Sequence, residues 1–195
     1  MIIAHRINRI AQLEKIPAAL GVEVDLREDG RHLILQHEPR RSGERFDQFL
    51  RRFRHRMLVV NPKCDGLEEE ALRLMARHRV REFFFVDLTL PAIARLRRRG
   101  ERRIAARFSE IEPVEGCLAL AGAAEWLWID CFTRYPTMGP HRDRLLRRFR
   151  TCLVAPELHG RPPASRLEAR RLARRYGASA VCTDRPDRWE EIWRE

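Results

Sequence analysis

Five residues in the first third of the chain carry chemistry by type and spacing. Glu23-Val24-Asp25 sets two carboxylates at alternate positions of a short β-branched run. Alternate strand residues point the same way, so both acids project to one side while Val24 packs on the other. Two like charges that close repel unless a cation neutralises them. A hard divalent ion with oxygen ligands, Mg²⁺ or Ca²⁺, meets that need; a bridging arginine is the structural alternative. His5 and His37 flank the pair. Imidazole titrates near neutrality, so two of them can serve as general base and general acid across one reacting centre. Lys63 offers a point charge to a phosphoryl oxygen. All but two of the 39 Lys and Arg residues are arginine, and Lys63 is one of the two, which favours a position that needs the compact ammonium.

The elements that must hold these residues follow from hydrophobic patterning. Short apolar, β-branched runs occur at 1–5, 21–26, 57–61, 82–88, 104–109, 125–132, 151–158 and 178–184. They read as strands without polar alternation, as in a parallel sheet covered on both faces. A further strand, 32–37, follows the turn Glu28-Asp29-Gly30-Arg31 as the second arm of a hairpin. Helices are predicted near 9–19, 44–55, 66–78, 90–99, 140–149 and 165–176. Asp65 with Glu68, and Ser165 with Glu168, have the spacing of helix-start caps, and Gly100 and Gly177 fall at left-handed helix ends. Residues 109–124 hold no strong helix pattern, and the segment after Asp184 allows only a short one.

Eight strand–helix repeats predict an α/β fold, a small (β/α)8 TIM barrel with trimmed helices and an extra β-hairpin strand after strand 2. It would occupy residues 1–195 as a single domain. An open doubly wound sheet is the alternative. Its nucleotide-binding forms are disfavoured, since no Gly-rich GxGxxG or GxxxxGK[ST] run follows any strand. In a barrel the reacting groups lie at the C-terminal strand ends. Those ends here carry His5-Arg6, Glu23 and Asp25, His37, Asn61 with Lys63, Asp87, Arg107, Asp130, Glu157 and Thr183-Asp184. Arg107 and Glu157 are therefore candidate substrate contacts. Trp128 joins them, because it shares the strand face of Asp130.

The motifs occur in a recognisable order: Ala4-His5-Arg6, Glu23-Val24-Asp25, His37-Glu38-Pro39, Asn61-Pro62-Lys63 and Thr183-Asp184-Arg185-Pro186-Asp187. Together they resemble the glycerophosphodiester phosphodiesterase family, a (β/α)8 barrel family related to phosphatidylinositol-specific phospholipases C and sphingomyelinases D. The resemblance implies His5 and His37 as the catalytic pair and Glu23 and Asp25 as ligands of one divalent cation, Mg²⁺ or Ca²⁺. It implies Arg6 and Lys63 as phosphate contacts. Where the family carries an acid two residues before the lysine, this chain has Asn61, whose amide oxygen takes the third ligand place. The chain also departs at Ile7-Asn8, where the family has glycine, and at Glu38, where it has aspartate. The long substrate-binding insertion of many members is absent. The expected activity is a metal-dependent phosphodiesterase acting on a glycerophosphodiester-type or phospholipid-derived substrate. A silent barrel that binds a phosphorylated ligand or a protein is the competing reading.

Composition limits the remaining classes. The formal net charge is +11, with 44% hydrophobic and 34% charged residues, the balance of a folded chain. The arginine runs at 51–56, 95–103, 142–150 and 170–175 are scattered and mixed with apolar residues at helical spacing. They read as solvated outer helix faces, not as a nucleic-acid arm, so no specific nucleic-acid partner is expected, while peripheral contact with an anionic membrane stays open. The longest clean apolar run, 117–124, is far below the ~20 residues of a membrane helix. Arg6 and Arg9 interrupt any leader-like stretch. The five cysteines, without CxxC spacing, read as free thiols. Cytoplasmic location is the expectation.

Overall fold

The computed structural model describes residues 1–193. Its strands are β1 (Ile2–Ala4), β2 (Gly21–Glu28), β3 (Leu33–Leu35), β4 (Glu44–Arg45), β5 (Met57–Pro62), β6 (Phe83–Phe85), β7 (Ala105–Phe108), β8 (Trp126–Ile129), β9 (Arg150–Val154) and β10 (Ala180–Thr183). Eight of them pair in parallel around a ring, in the order β1, β2, β5, β6, β7, β8, β9, β10 and back to β1. Between β6 and β7 the ladder narrows to a single parallel bridge, Phe85 to Ile104. The fold is the expected (β/α)8 barrel, with this one thin joint.

The helices are α1 (Ile10–Leu13), α2 (Phe46–Arg52), α3 (Glu68–Arg77), α4 (Leu90–Arg98), α5 (Val114–Ala119), α6 (Arg142–Arg148), α7 (Arg166–Tyr176) and α8 (Pro186–Trp193). Strand alternation sorts the core into two layers. Phe83, Phe85, Val22, Val24, Leu58 and Val60 face outward into the helix layer. Ile3, Met57, Val59, Phe84, Trp126, Trp128, Cys152 and Cys182 fill the lumen. Phe84 stacks on Trp126 with centroids 4.4 Å apart, and the Arg150 guanidinium lies 4.1 Å from the Trp126 ring centroid. The lumen is thus a packed core, as barrels of this size require. All five cysteines are unpaired, and four are buried.

Three local expectations are corrected. Residues 109–124 do hold a helix, α5, which is short and starts at Pro113 with no side-chain cap. Asp65 does not cap α3; Leu67 stands at that helix end without a side-chain cap, while Asp65 accepts from Thr89 Oγ1 at 2.9 Å. Residues 44–45 are strand, not helix, because they pair antiparallel with Ile34 and Leu35. Ser165 does cap α7, accepting from the Glu168 N–H at 3.3 Å, and Gly177 closes it in the left-handed conformation.

Candidate active site

Alternation along β2 turns Glu23 and Asp25 into the lumen, where each is 1% exposed. Register does the rest. Asp25 lies beside Asn61 of β5, and β1 lies between β2 and β10, which puts His5 beside both acids and the last strand end. The hairpin formed by β3 and the end of β2 leaves the ring here. The Gln36 N–H bonds the Asp25 carbonyl at 2.9 Å, and the Arg27 guanidinium grips the His37 carbonyl at 3.0 and 2.9 Å. His37 is thereby carried over the mouth. Gly43 permits the close return of this loop, since a Cβ there would sit 2.3 Å from the Leu35 carbonyl oxygen.

Simple alternation would send Arg6 and Asp87 outward. Both instead have positive φ, 52° and 58°, a left-handed conformation that non-glycine residues adopt at a cost. The turn at Arg6 directs its N–H to Glu23 Oε2 at 2.9 Å and brings its guanidinium to His37 Nε2 at 2.6 Å. At Asp87 the carboxylate accepts from Asn61 Nδ2 at 3.0 Å and meets Arg107 Nη1 at 3.3 Å. Lys63 Nζ is 2.8 Å from Asp25 Oδ1, and Asn8 donates to Asp25 Oδ2 at 2.8 Å.

Both imidazoles have an assignable tautomer. A carboxylate can only accept, so His5 donates from Nδ1 to Asp184 Oδ1 at 2.8 Å and keeps a lone pair on Nε2, 3.9 Å from Glu23 Oε2. A guanidinium can only donate, so His37 Nε2 accepts from Arg6 while Nδ1 donates to Glu38 Oε1 at 2.8 Å. Burial lowers the His5 pKa against the opposing pull of Asp184. Burial, with the Asp25 charge beside it, pushes the Glu23 carboxyl well up. Burial would raise Asp25 too, but the Lys63 ammonium and the Asn8 amide hold it down. At Asp87 burial prevails over Arg107 and raises the carboxyl.

Hydrogen bonds, ion pairs and strand register therefore bring together His5, Arg6, Glu23, Asp25, His37, Asn61 and Lys63 at the mouth, seven of the ten residues singled out from the sequence. Arg107 stands across the mouth, joined to it through Asp87. Glu157 accepts from Thr183 Oγ1, one residue before Asp184. Trp128 is 5% exposed and packs edge-on to Phe84 inside the lumen, so this arrangement leaves it below the group. Asp184 and Asp87, set at the strand ends by the sequence but given no role there, and Asn8 are the further partners in the site. The signal for Asp184 was present: a closed ring pairs the first strand with the last, which sets residue 184 beside residue 5.

Among the described residues no three His, Cys, Asp or Glu side chains cluster closely enough to hold a metal ion. The available oxygen donors are two carboxylates, Glu23 and Asp25, and one amide. That amide is informative. Asn61 Oδ1 is buried and has no hydrogen-bond partner, an arrangement native proteins seldom leave unresolved. A neutral oxygen beside two acids is chemistry that suits a hard divalent cation.

The ring of parallel strands with polar groups on its C-terminal mouth defines the class: a (β/α)8 barrel. No protein-family model matches the sequence, and no curated protein matches it. Among solved structures, a glycerophosphodiester phosphodiesterase from Agrobacterium tumefaciens superposes with a TM-score of 0.66 at 15% identity, over 100% of this chain and 99% of that one. A glycerophosphoryl diester phosphodiesterase from Parabacteroides distasonis gives a TM-score of 0.65 at 15% identity, over 98% of this chain and 85% of that one. The chain has the fold of glycerophosphodiester phosphodiesterases.

Proposed function

We propose that this chain is a phosphodiesterase acting on a small phosphodiester of the glycerophosphodiester type. The observation that carries the reading is the pair of imidazoles, His5 and His37, brought together through Arg6 beside two buried acids and Lys63. His5 is the base. Its Nδ1 proton is held by Asp184, so the imidazolium formed when Nε2 takes a proton is stabilised in place. That proton comes from water, or from a neighbouring hydroxyl of the substrate, whose oxygen forms the new bond to phosphorus. His37 enters protonated and gives its Nε2 proton to the alcohol oxygen as the old P–O bond breaks. Arg6 must release Nε2 for this, and the phosphate is the competing partner for its guanidinium. Lys63 stabilises charge on the phosphoryl oxygens.

Glu23, Asp25 and Asn61 would hold one Mg²⁺ or Ca²⁺, which supplies Lewis-acid stabilisation of the phosphoryl oxygens when bound. The reading is tested by assaying a panel of glycerophosphodiesters and lysophospholipids with and without added Mg²⁺ and Ca²⁺, beside calorimetric titration with each ion. Product formation that falls about 10²–10⁴-fold in His5→Ala and in His37→Ala supports it. No heat and no product would replace it with a barrel that binds a phosphorylated ligand without turnover.

A further inference from the structure

The thin joint of the barrel borders the mouth. Where β6 and β7 share one bridge, a cavity of about 300 Å³ opens between the start of α4 and α5. That volume is at the lower end for small-ligand sites, about 300–1,000 Å³. Its wall is apolar, formed by Leu88, Leu90, Ile93, Pro113, Cys117 and Leu120. Its polar edge is Asp87, Arg107 and Glu112, one guanidinium held between two carboxylates: Arg107 reaches Asp87 at 3.3 Å and Glu112 at 2.9 Å. The one cation on this edge is engaged by both acids, so nothing there attracts an anionic occupant.

Two further facts mark the place. The described residues include three large hydrophobic side chains that stand exposed, and two of them are here: Leu90, on the cavity wall, is 68% exposed, and Ile111, one residue before Glu112, is 74% exposed. On a chain so rich in arginine, apolar groups held in water around an apolar cavity read as a binding edge. The cavity also adjoins the group at the mouth, because Asp87 both edges it and accepts from Asn61. A different part of the mouth, beside Arg6, has opposite character: a cleft of about 670 Å³ lined by Asn8, Arg9, Gln12, Gln36 and Glu44.

We infer that the cavity between α4 and α5 is a subsite for an uncharged, apolar alcohol substituent of the phosphate ester. The polar cleft beside Arg6 takes the other, hydrophilic substituent. The substrate class is thus an asymmetric phosphodiester with one aliphatic or aryl arm. This rests on the phosphodiesterase reading for its phosphate position.

Gly116 gives a direct test. It lines the cavity, and a Cβ added there would meet nothing within 4 Å, so Gly116→Leu fills the space without a backbone clash. Calorimetry with hexyl phosphate and with glycerol phosphate is the primary measurement. Hexyl phosphate is expected to bind the native chain at least about tenfold tighter, and Gly116→Leu to remove that advantage. Leu90→Ser, at an exposed position, is expected to reduce it as well, which guards against a folding defect in the first variant. Equal affinities in the native chain, or an advantage that survives both substitutions, overturns the subsite. Turnover of glycerophosphohexanol against glycerophosphoglycerol is read in parallel. Absence of product from both, with the hexyl advantage intact, sinks the phosphodiesterase activity and leaves the subsite standing.

Discussion

Asp87 fixes which way the Asn61 amide faces. Its carboxylate can only accept, so Asn61 presents Nδ2 to Asp87 Oδ2 at 3.0 Å, and Oδ1 is left buried without a donor. An acid one strand away thus decides that the unpartnered atom of Asn61, the residue beside Asp25 in register, is the oxygen and not the amide nitrogen. The left-handed backbone at Asp87 is what brings that acid to the mouth.

The first prediction comes from this pair. Asn61→Asp sets a carboxylate against Asp87, a like-charge contact in a buried place. The melting temperature in chelator-treated buffer is expected to fall below that of the native chain. Added Mg²⁺ or Ca²⁺ is expected to recover it, and calorimetry to register tighter cation binding than in the native chain. An unchanged melting temperature with and without the ions would rule out a cation at this position.

The second concerns His5 and Asp184. Asp184→Asn still reaches Nδ1 but no longer offers a charged acceptor. A loss of about 10- to 100-fold in kcat is expected, the usual scale for a residue that orients another, and smaller than the loss in His5→Ala. The substrate KM is expected to stay within about twofold. A KM effect with kcat unchanged would place Asp184 in binding and not behind His5.

Glu110 yields a pH dependence. Burial would raise its carboxyl, but the Thr133 N–H at 2.5 Å, the Thr133 hydroxyl at 2.9 Å and the Arg134 N–H at 3.3 Å hold it at about 2. A folded-state pKa below the unfolded one stabilises the fold above the unfolded value, near 4.5. That stabilisation is lost as pH falls toward about 2. Urea unfolding of native and Glu110→Gln chains should differ at pH 6 and converge between pH 4.5 and pH 2. A constant difference across that range would mean the carboxylate charge is not what holds the loop after β8.

The arginines give the fourth. Many are already engaged at the surface: Arg99 with Glu69 at 2.7 Å, Arg166 with Glu191 at 2.6 Å, and Arg103 with Glu101 at 2.5 Å. Duplex DNA should therefore bind weakly, with an affinity that drops steeply as salt rises. Tight, sequence-selective binding at physiological salt would assign these residues a different purpose.

The strands were legible because a sheet covered on both faces needs unbroken apolar runs, and Met57–Pro62 or Trp126–Ile129 can be little else. Helix α5 was hidden by its own composition: six residues containing Gly116, with no capping side chain. Strand β4 was hidden because its pairing with β3 is decided by tertiary contact, not by Glu44 and Arg45 themselves. In the site, His5, Glu23, Asp25, His37 and Lys63 could be read from type and order. Arg6 and Asp87 could be read as strand-end residues, but not the direction of their side chains, because that depends on left-handed backbone that no spacing rule announces. The depth of Trp128 was hidden for the converse reason. Facing the same way as Asp130 says which side of the strand it occupies, not how far below the rim it lies.

The joint between β6 and β7 bears on how the barrel comes apart. Seven of its eight seams are laddered, whereas this one has a single bridged pair. Amide protons near Phe85 and Ile104 are expected to exchange with deuterium sooner than those of β2 and β5, which pair over six residues. New chain ends introduced by circular permutation at Gly100, in the loop that crosses this seam, would fall where the ring is already almost a ribbon. A permuted chain cut there is expected to fold, while one cut inside the β2–β5 pairing would lose the floor under His5 and His37.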